Sequence, residues 1–188
     1  MKLTALYRRI ADHLDSSGDW VLPSLARLVF AAVLLRYYWN SALTKLDGPF
    51  GVTDGGYGQI FPRAFDDVAF DSSALGNFHY MVVLAGAWAE ILLPLAIVAG
   101  VCTRLAALGM IGFVTLQSLT DIFGHMVGPE TTGAWFDAAS GSVIVDQRSF
   151  WILALLVLLA KGAGPLSIDR GLQLMGVGLT RRQRQNSA

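Results

Sequence analysis

Four long apolar runs separated by stretches of mixed polarity set the first reading of this chain. They cover about residues 22–43, 78–99, 105–123 and 150–163. A helix needs roughly 20 mostly apolar residues to cross a bilayer, and each run approaches or meets that length. Charges are nearly absent from the third and fourth runs, so a soluble helical bundle is a poor alternative. The pattern predicts an all-α, integral membrane four-helix bundle. "GVCTR" between the second and third runs is so short that those helices must be antiparallel neighbours.

The segments between the runs differ in character. The loop over 45–77 is long and rich in Gly, Asp and aromatics, and that over 124–149 is of middle length. Residues 1–21 carry Leu3, Leu6, Tyr7, Ile10 and Leu14 at helical spacing, with Arg8, Arg9 and Asp12 elsewhere. That is the pattern of an amphipathic helix lying on a membrane surface. It lacks the continuous apolar core of a signal peptide. Trp20, Trp39, Trp135 and Trp151 fall near the ends of runs, as an aromatic belt would have them.

Composition agrees with the pattern. The 188 residues are 54% hydrophobic and 15% charged, against about 25% charged in soluble domains. The formal net charge is zero, which gives no electrostatic case for nucleic acid. Cys102 is the single cysteine. It excludes an intrachain disulfide, a CxxC redox pair and a Cys-ligated cluster built from this chain alone.

Lys and Arg set the expected orientation. With the N-terminus inside, nine of them (Lys2, Arg8, Arg9, Arg104, Lys161, Arg170, Arg181, Arg182 and Arg184) face the cytoplasm, and three (Lys45, Arg63 and Arg148) face out. Both termini are expected to be cytoplasmic, in a multi-pass protein of the inner membrane. The outer loops carry Asp47, Asp54, Asp66, Asp67, Asp71, Glu130, Asp137 and Asp146. The tail 170–188 ends in "RRQRQ", suited to anionic lipid or to an unstructured tail.

Several short motifs recur in a fixed order. Arg27 opens the first run and "ALTKLDG" closes it; "AEILLPLAIVAGVCTRLAALGM" joins the second and third; "KGAGPLSIDRGL" ends the bundle. Together, over about 22–172, they resemble the DoxX family of small four-helix membrane proteins. The family's positions fall on Arg27, Lys45, Glu90, Gly100, Thr103, Arg104, Gly164, Pro165, Ser167 and Asp169, with Ala42 standing where a Gly is usual. The resemblance implies kinship with the membrane subunit of a thiosulfate:quinone oxidoreductase, and with members tied to redox, thiol-stress or metal-handling systems. It speaks to fold more than to chemistry.

Ionisable groups inside a span cost about 2.5–3.5 kcal/mol each on insertion scales. Glu90 lies about 18 Å into the second run at 1.5 Å per residue, and Arg36, at similar depth in the first, is its expected partner. Pro94 has no N–H for the Glu90 carbonyl and predicts a kink there. Arg36, Asn40 and Thr44 share a face, as do Gln117, Asp121 and His125, four apart in "QSLTDIFGH". His79 begins the second run on the same outer side. These residues predict a wet pocket opening outward, floored by Arg36 and Glu90.

Two functions compete. In the first, the chain is the membrane subunit of a redox complex and a quinone occupies the pocket. Asp121, His125 and Glu90 would exchange protons, Arg36, Asn40, His79, Gln117 and Trp39 would bind the head group, and Tyr37, Tyr38 and Trp88 would supply apolar walls. A protein partner or a homo-oligomer would complete it. In the second, the chain is a non-enzymatic membrane partner for an exported metal-handling or redox protein, with a small transporter as a further variant. His79, Asp121 and His125 also have the side-chain types of a Zn or Cu site, if they converge.

Overall fold

The computed structural model describes residues 2–176. Among them, four helices are long and apolar enough to cross a membrane: Leu6–Lys45, Asn77–Ala99, Thr103–Gly124 and Val143–Lys161. The first is α1 (Lys2–Phe30), a π-helical turn over Ala31–Leu35, and α2 (Arg36–Lys45). It is one continuous helix, so the separate segment expected over 1–21 has no boundary; Pro23 sits inside it, well beyond the first turn. Arg181, Arg182 and Arg184 of the expected tail lie outside the described residues.

Two short strands, β1 (Leu46–Asp47) and β2 (Gly51–Val52), follow and pair antiparallel. Next come α3 (Asp54–Ile60) and α4 (Pro62–Asp67), then the second and third long helices, α5 (Asn77–Ala99) and α6 (Thr103–Leu119). Gly100, at φ +71°, ends α5 in the left-handed conformation that favours glycine. The helix continues through Pro94 to that cap. A π-helical turn over Thr120–Gly124 extends α6, and another over Val143–Gln147 precedes α8 (Arg148–Lys161). The fourth span therefore starts earlier than the expected residue 150, because Asp146 and Arg148 are held by protein partners and do not need water. Between them lies α7 (Pro129–Thr132), and α9 (Ile168–Leu174) closes the described chain.

The four long helices form an up-and-down ring: α2 meets α5, α5 meets α6, α6 meets α8, and α8 meets α1. Phe30, Leu34, Tyr38, Ile97, Ala107, Met110, Val114, Leu155 and Leu158 fill its centre. Lipid is as apolar as leucine, so close packing over small residues such as Ala106 and Ala107, and polar contacts, hold such a bundle.

One end, the turn end, carries the Gly100–Cys102 connection. Here Arg27 donates to the carbonyls of Ile97 and Val98 in the last turn of α5, and to those of Ala163 and Leu166 after α8. Carbonyls left over at helix C-termini need such donors. Asp169 accepts from the N–H groups of Cys102 and Thr103 and from the Thr103 hydroxyl, at 2.8–2.9 Å. A carboxylate is well placed at the N-terminus of α6.

The opposite, loop end is covered by the first long loop. Thr53 caps α3, accepting from Gly56 N–H, while its own N–H bonds the Lys45 carbonyl at 2.9 Å. A Cβ on Gly56 would lie 2.9 Å from Val83 and 3.2 Å from the Lys45 carbonyl oxygen. Tyr80 and Trp88 donate to the carbonyls of Phe50 and Pro49. The loop thus lies down along the first three turns of α5, over a second apolar cluster of Tyr57, Phe65 and Val83. Burial, then the neighbouring Tyr80 and Asp54, push the Tyr57 phenol above its ordinary pKa.

Candidate functional site

Glu90 is buried on α5, and its partner is Lys45, not Arg36. Lys45 Nζ stands 3.1 and 3.0 Å from the two carboxylate oxygens. It also donates to the Ser41 hydroxyl at 2.7 Å and the Ser41 carbonyl at 3.1 Å, and Ser41 Oγ donates to Glu90 at 3.1 Å. Both charged residues are under 5% exposed. Arg36 is exposed. Nine residues separate it from Lys45, two and a half turns, which puts the two on opposite faces of α2. Lys45 is the last residue of its helix, and its side chain runs back one turn to Ser41, so it reaches the depth of the acid.

A second ion pair joins α6 to α8. Arg148 donates through Nη2 to Asp121 at 2.5 Å and through Nη1 to the Ser118 hydroxyl at 2.9 Å. Arg148 is buried and Asp121 is about a quarter exposed. Arg148 Nε has no hydrogen-bond partner among the described residues.

Tyr37, Tyr38 and Gln117 form a hydrogen-bonded chain between α2 and α6. Tyr38, fully buried, donates to Gln117 Oε1 at 3.3 Å, and Gln117 Nε2 donates to the Tyr37 hydroxyl at 3.0 Å. Trp151 lies against Tyr37, ring centroids 5.6 Å apart. Trp151 also lines a lipid-facing groove with Val29, Phe30, Val33, Leu34 and Phe150.

The remaining expected site residues scatter. His125 does not pair with Asp121; the π-helical turn sends it to the loop, where Nε2 lies 3.1 Å from the Gln59 carbonyl. His79 packs edge-on to Phe61 and Phe78, with Nδ1 buried and unpartnered among the described residues. Trp39 donates to the Ile91 carbonyl at 3.3 Å, and Asn40 is exposed. The expected metal triad of His79, Asp121 and His125 does not assemble. Among the described residues no three His, Cys, Asp or Glu side chains are placed to hold a metal ion. Glu90 does not floor a pocket open to water, since it is only 3% exposed.

Sequence reasoning named Lys45 among the family positions but did not pair it with Glu90, because the spacing put it in the loop, and it missed Arg148 as the partner of Asp121. Signals existed for both: Ser41 and Lys45 are four apart, and Asp121 and Arg148 stand at adjacent span ends on one side.

In a comparison with protein families, the model that matches is DoxX, over residues 22–120, just over half the chain. No curated protein and no solved structure matches it.

Proposed function

Since the chain belongs to the DoxX family of membrane proteins, we propose that it serves as the membrane subunit of a redox complex, taking a quinone at the Tyr37–Gln117 pair. The observation that carries this reading is the apolar groove lined by Phe30, Val33, Leu34 and Trp151, whose Trp151 ring lies against Tyr37, itself hydrogen-bonded to Gln117. A quinone tail suits the apolar groove. Its ring suits Trp151 and Tyr37, and its carbonyls suit the Tyr37 hydroxyl and the Gln117 amide. Asp121, about a quarter exposed at the loop end and held in place by Arg148, would exchange protons between the head group and water. The Lys45–Glu90 pair holds the scaffold. Electrons would come from a partner protein.

The test is quinone extraction from protein purified in mild detergent, together with thermal unfolding in the presence of a short-chain quinone. Bound quinone, and a stabilisation lost in Tyr37→Phe with Gln117→Ala, support the reading. Absence of both overturns it.

A specific feature favours docking as a second reading. Lys45 and Arg148 are consumed in buried pairs, so Arg63 is the exposed Lys or Arg among the described residues of the two loops. Asp47, Asp54, Asp66, Asp67, Glu130 and Asp137 of the same two loops are exposed. A basic exported protein suits that face. Pull-down of such a partner, lost on neutralising Asp66 and Asp67 while quinone content is unchanged, distinguishes docking from quinone binding.

A further inference from the structure

At the turn end, a wide cleft is lined by the start of α6, the end of α8 and α9. Arg104 on the first turn of α6, Lys161 at the end of α8 and Arg170 on α9 border it. The acids beside them are already engaged. Both oxygens of Asp169 accept from the start of α6, and Asp19 accepts from Lys161 at 2.8 Å. Arg104 gives Nη2 to the Ala160 carbonyl at 3.1 Å, and Arg170 gives Nη1 to the Gln173 amide oxygen at 3.4 Å. Neither guanidinium has a carboxylate partner among the described residues. Both side chains are exposed, so two forked cations face the cleft with donors to spare.

The cleft also adjoins lipid. Leu105 lines it at 70% exposure, and the same face of α6 continues through Leu108 and Leu116, both more than half exposed. Trp20, also exposed, stands at the rim, where an indole suits the head-group layer. A free anion would use the cations and leave the leucine face bare. A phospholipid uses both, because its phosphate matches the guanidinium forks and its acyl chains match the leucines.

We propose that this cleft binds the phosphate head group of an anionic phospholipid between Arg104 and Arg170, with the acyl chains along Leu105, Leu108 and Leu116. Lys161 stays on Asp19 and adds charge at the edge. The site lies at the opposite end of the bundle from Asp121, so it stands or falls independently of the quinone.

The test uses the full chain, stripped of lipid in mild detergent and then titrated with phosphatidylglycerol, phosphatidylcholine or inorganic phosphate. Thermal midpoint and lipid retained in native mass spectrometry are read out. Phosphatidylglycerol alone is expected to raise the midpoint and to be retained. The rise should vanish in Arg104→Gln with Arg170→Gln. Arg170→Gln alone, which keeps the Arg104 contact to Ala160, should lose most of it while the midpoint in phosphatidylcholine stays at the wild-type value. An undiminished phosphatidylglycerol effect in the variants overturns the proposal. So does an equal effect of phosphatidylcholine, and an equal effect of inorganic phosphate marks a free-anion site instead.

Discussion

Lys45 Nζ lies 3.0 Å from Glu90 Oε2, with both side chains nearly shut off from solvent and Ser41 bonded to both. The pair joins the last turn of α2 to the middle of α5, and through the Lys45 carbonyl it also anchors the loop. Removing one member strands a buried charge, which costs about 3–5 kcal/mol in comparable pairs. Replacing both with apolar residues removes that penalty. Lys45→Met and Glu90→Leu should each lower unfolding stability in detergent by several kcal/mol, and the double variant by less than either. Simple additivity of the two losses would show that the pair is not coupled.

The burial of Lys45 has a chemical signature. The chain has three lysines, Lys2, Lys45 and Lys161. Lys161 is nearly half exposed and Lys45 is 5% exposed at the side chain. A water-soluble amine reagent on the folded protein should label Lys161 and spare Lys45, as peptide mapping would reveal. Added to sealed vesicles from one side and then the other, the same reagent tests the expected cytoplasmic placement of Lys161. Rapid labelling of Lys45 in folded protein would mean that the amine is not buried on Glu90 as described.

How much of this was legible follows from the physics of each residue. Glu90 stood out because an acid in mid-run is costly and needs a partner. Its partner was misread because depth along a helix is readable from spacing, whereas the face presented to a neighbour depends on where that neighbour packs. Arg36 has the right depth and the wrong face. Lys45 has a flexible stem that carries its charge back a turn, which places a residue assigned to the loop inside the bundle. Asp121 and His125 share a face in an ideal helix, but the π-helical turn over Thr120–Gly124 changes the phase between them, and no periodicity announces such a turn. The family positions separate into two structural groups that their order alone did not reveal: Lys45 with Glu90 at the loop end, and Arg27, Gly100, Thr103, Ser167 and Asp169 at the turn end.

Arg148 depends on two acceptors, the Ser118 hydroxyl and the Asp121 carboxylate. Asp121→Ala leaves a buried guanidinium without its counter-charge and should destabilise by roughly 3 kcal/mol or more. Ser118→Ala removes one neutral acceptor, a loss of about 1–3 kcal/mol. Chemical unfolding that ranks the two in the reverse order would make the hydroxyl, rather than the charge pair, the main tie between α6 and α8.

The turn end makes the sharpest demand on side-chain size. A Cβ on Gly100 would stand 2.5 Å from Ser167 Cβ and 3.2 Å from Arg27 Cζ, at a backbone angle of φ +71°. Left-handed backbone costs a non-glycine residue about 1–2 kcal/mol, and overpacking adds about 1–3 kcal/mol. Gly100→Ala should therefore lower stability by several kcal/mol, or prevent accumulation of folded protein. Gly112→Ala, where a Cβ meets open space, should be nearly silent. Asp169→Ala frees the first N–H groups of α6 and should cost about 0.5–2 kcal/mol, with Asp169→Asn in between because it keeps one acceptor oxygen. Equal stability of the Gly100 and Gly112 variants would mean that Ser167 and Arg27 do not pack against the α5–α6 turn as described.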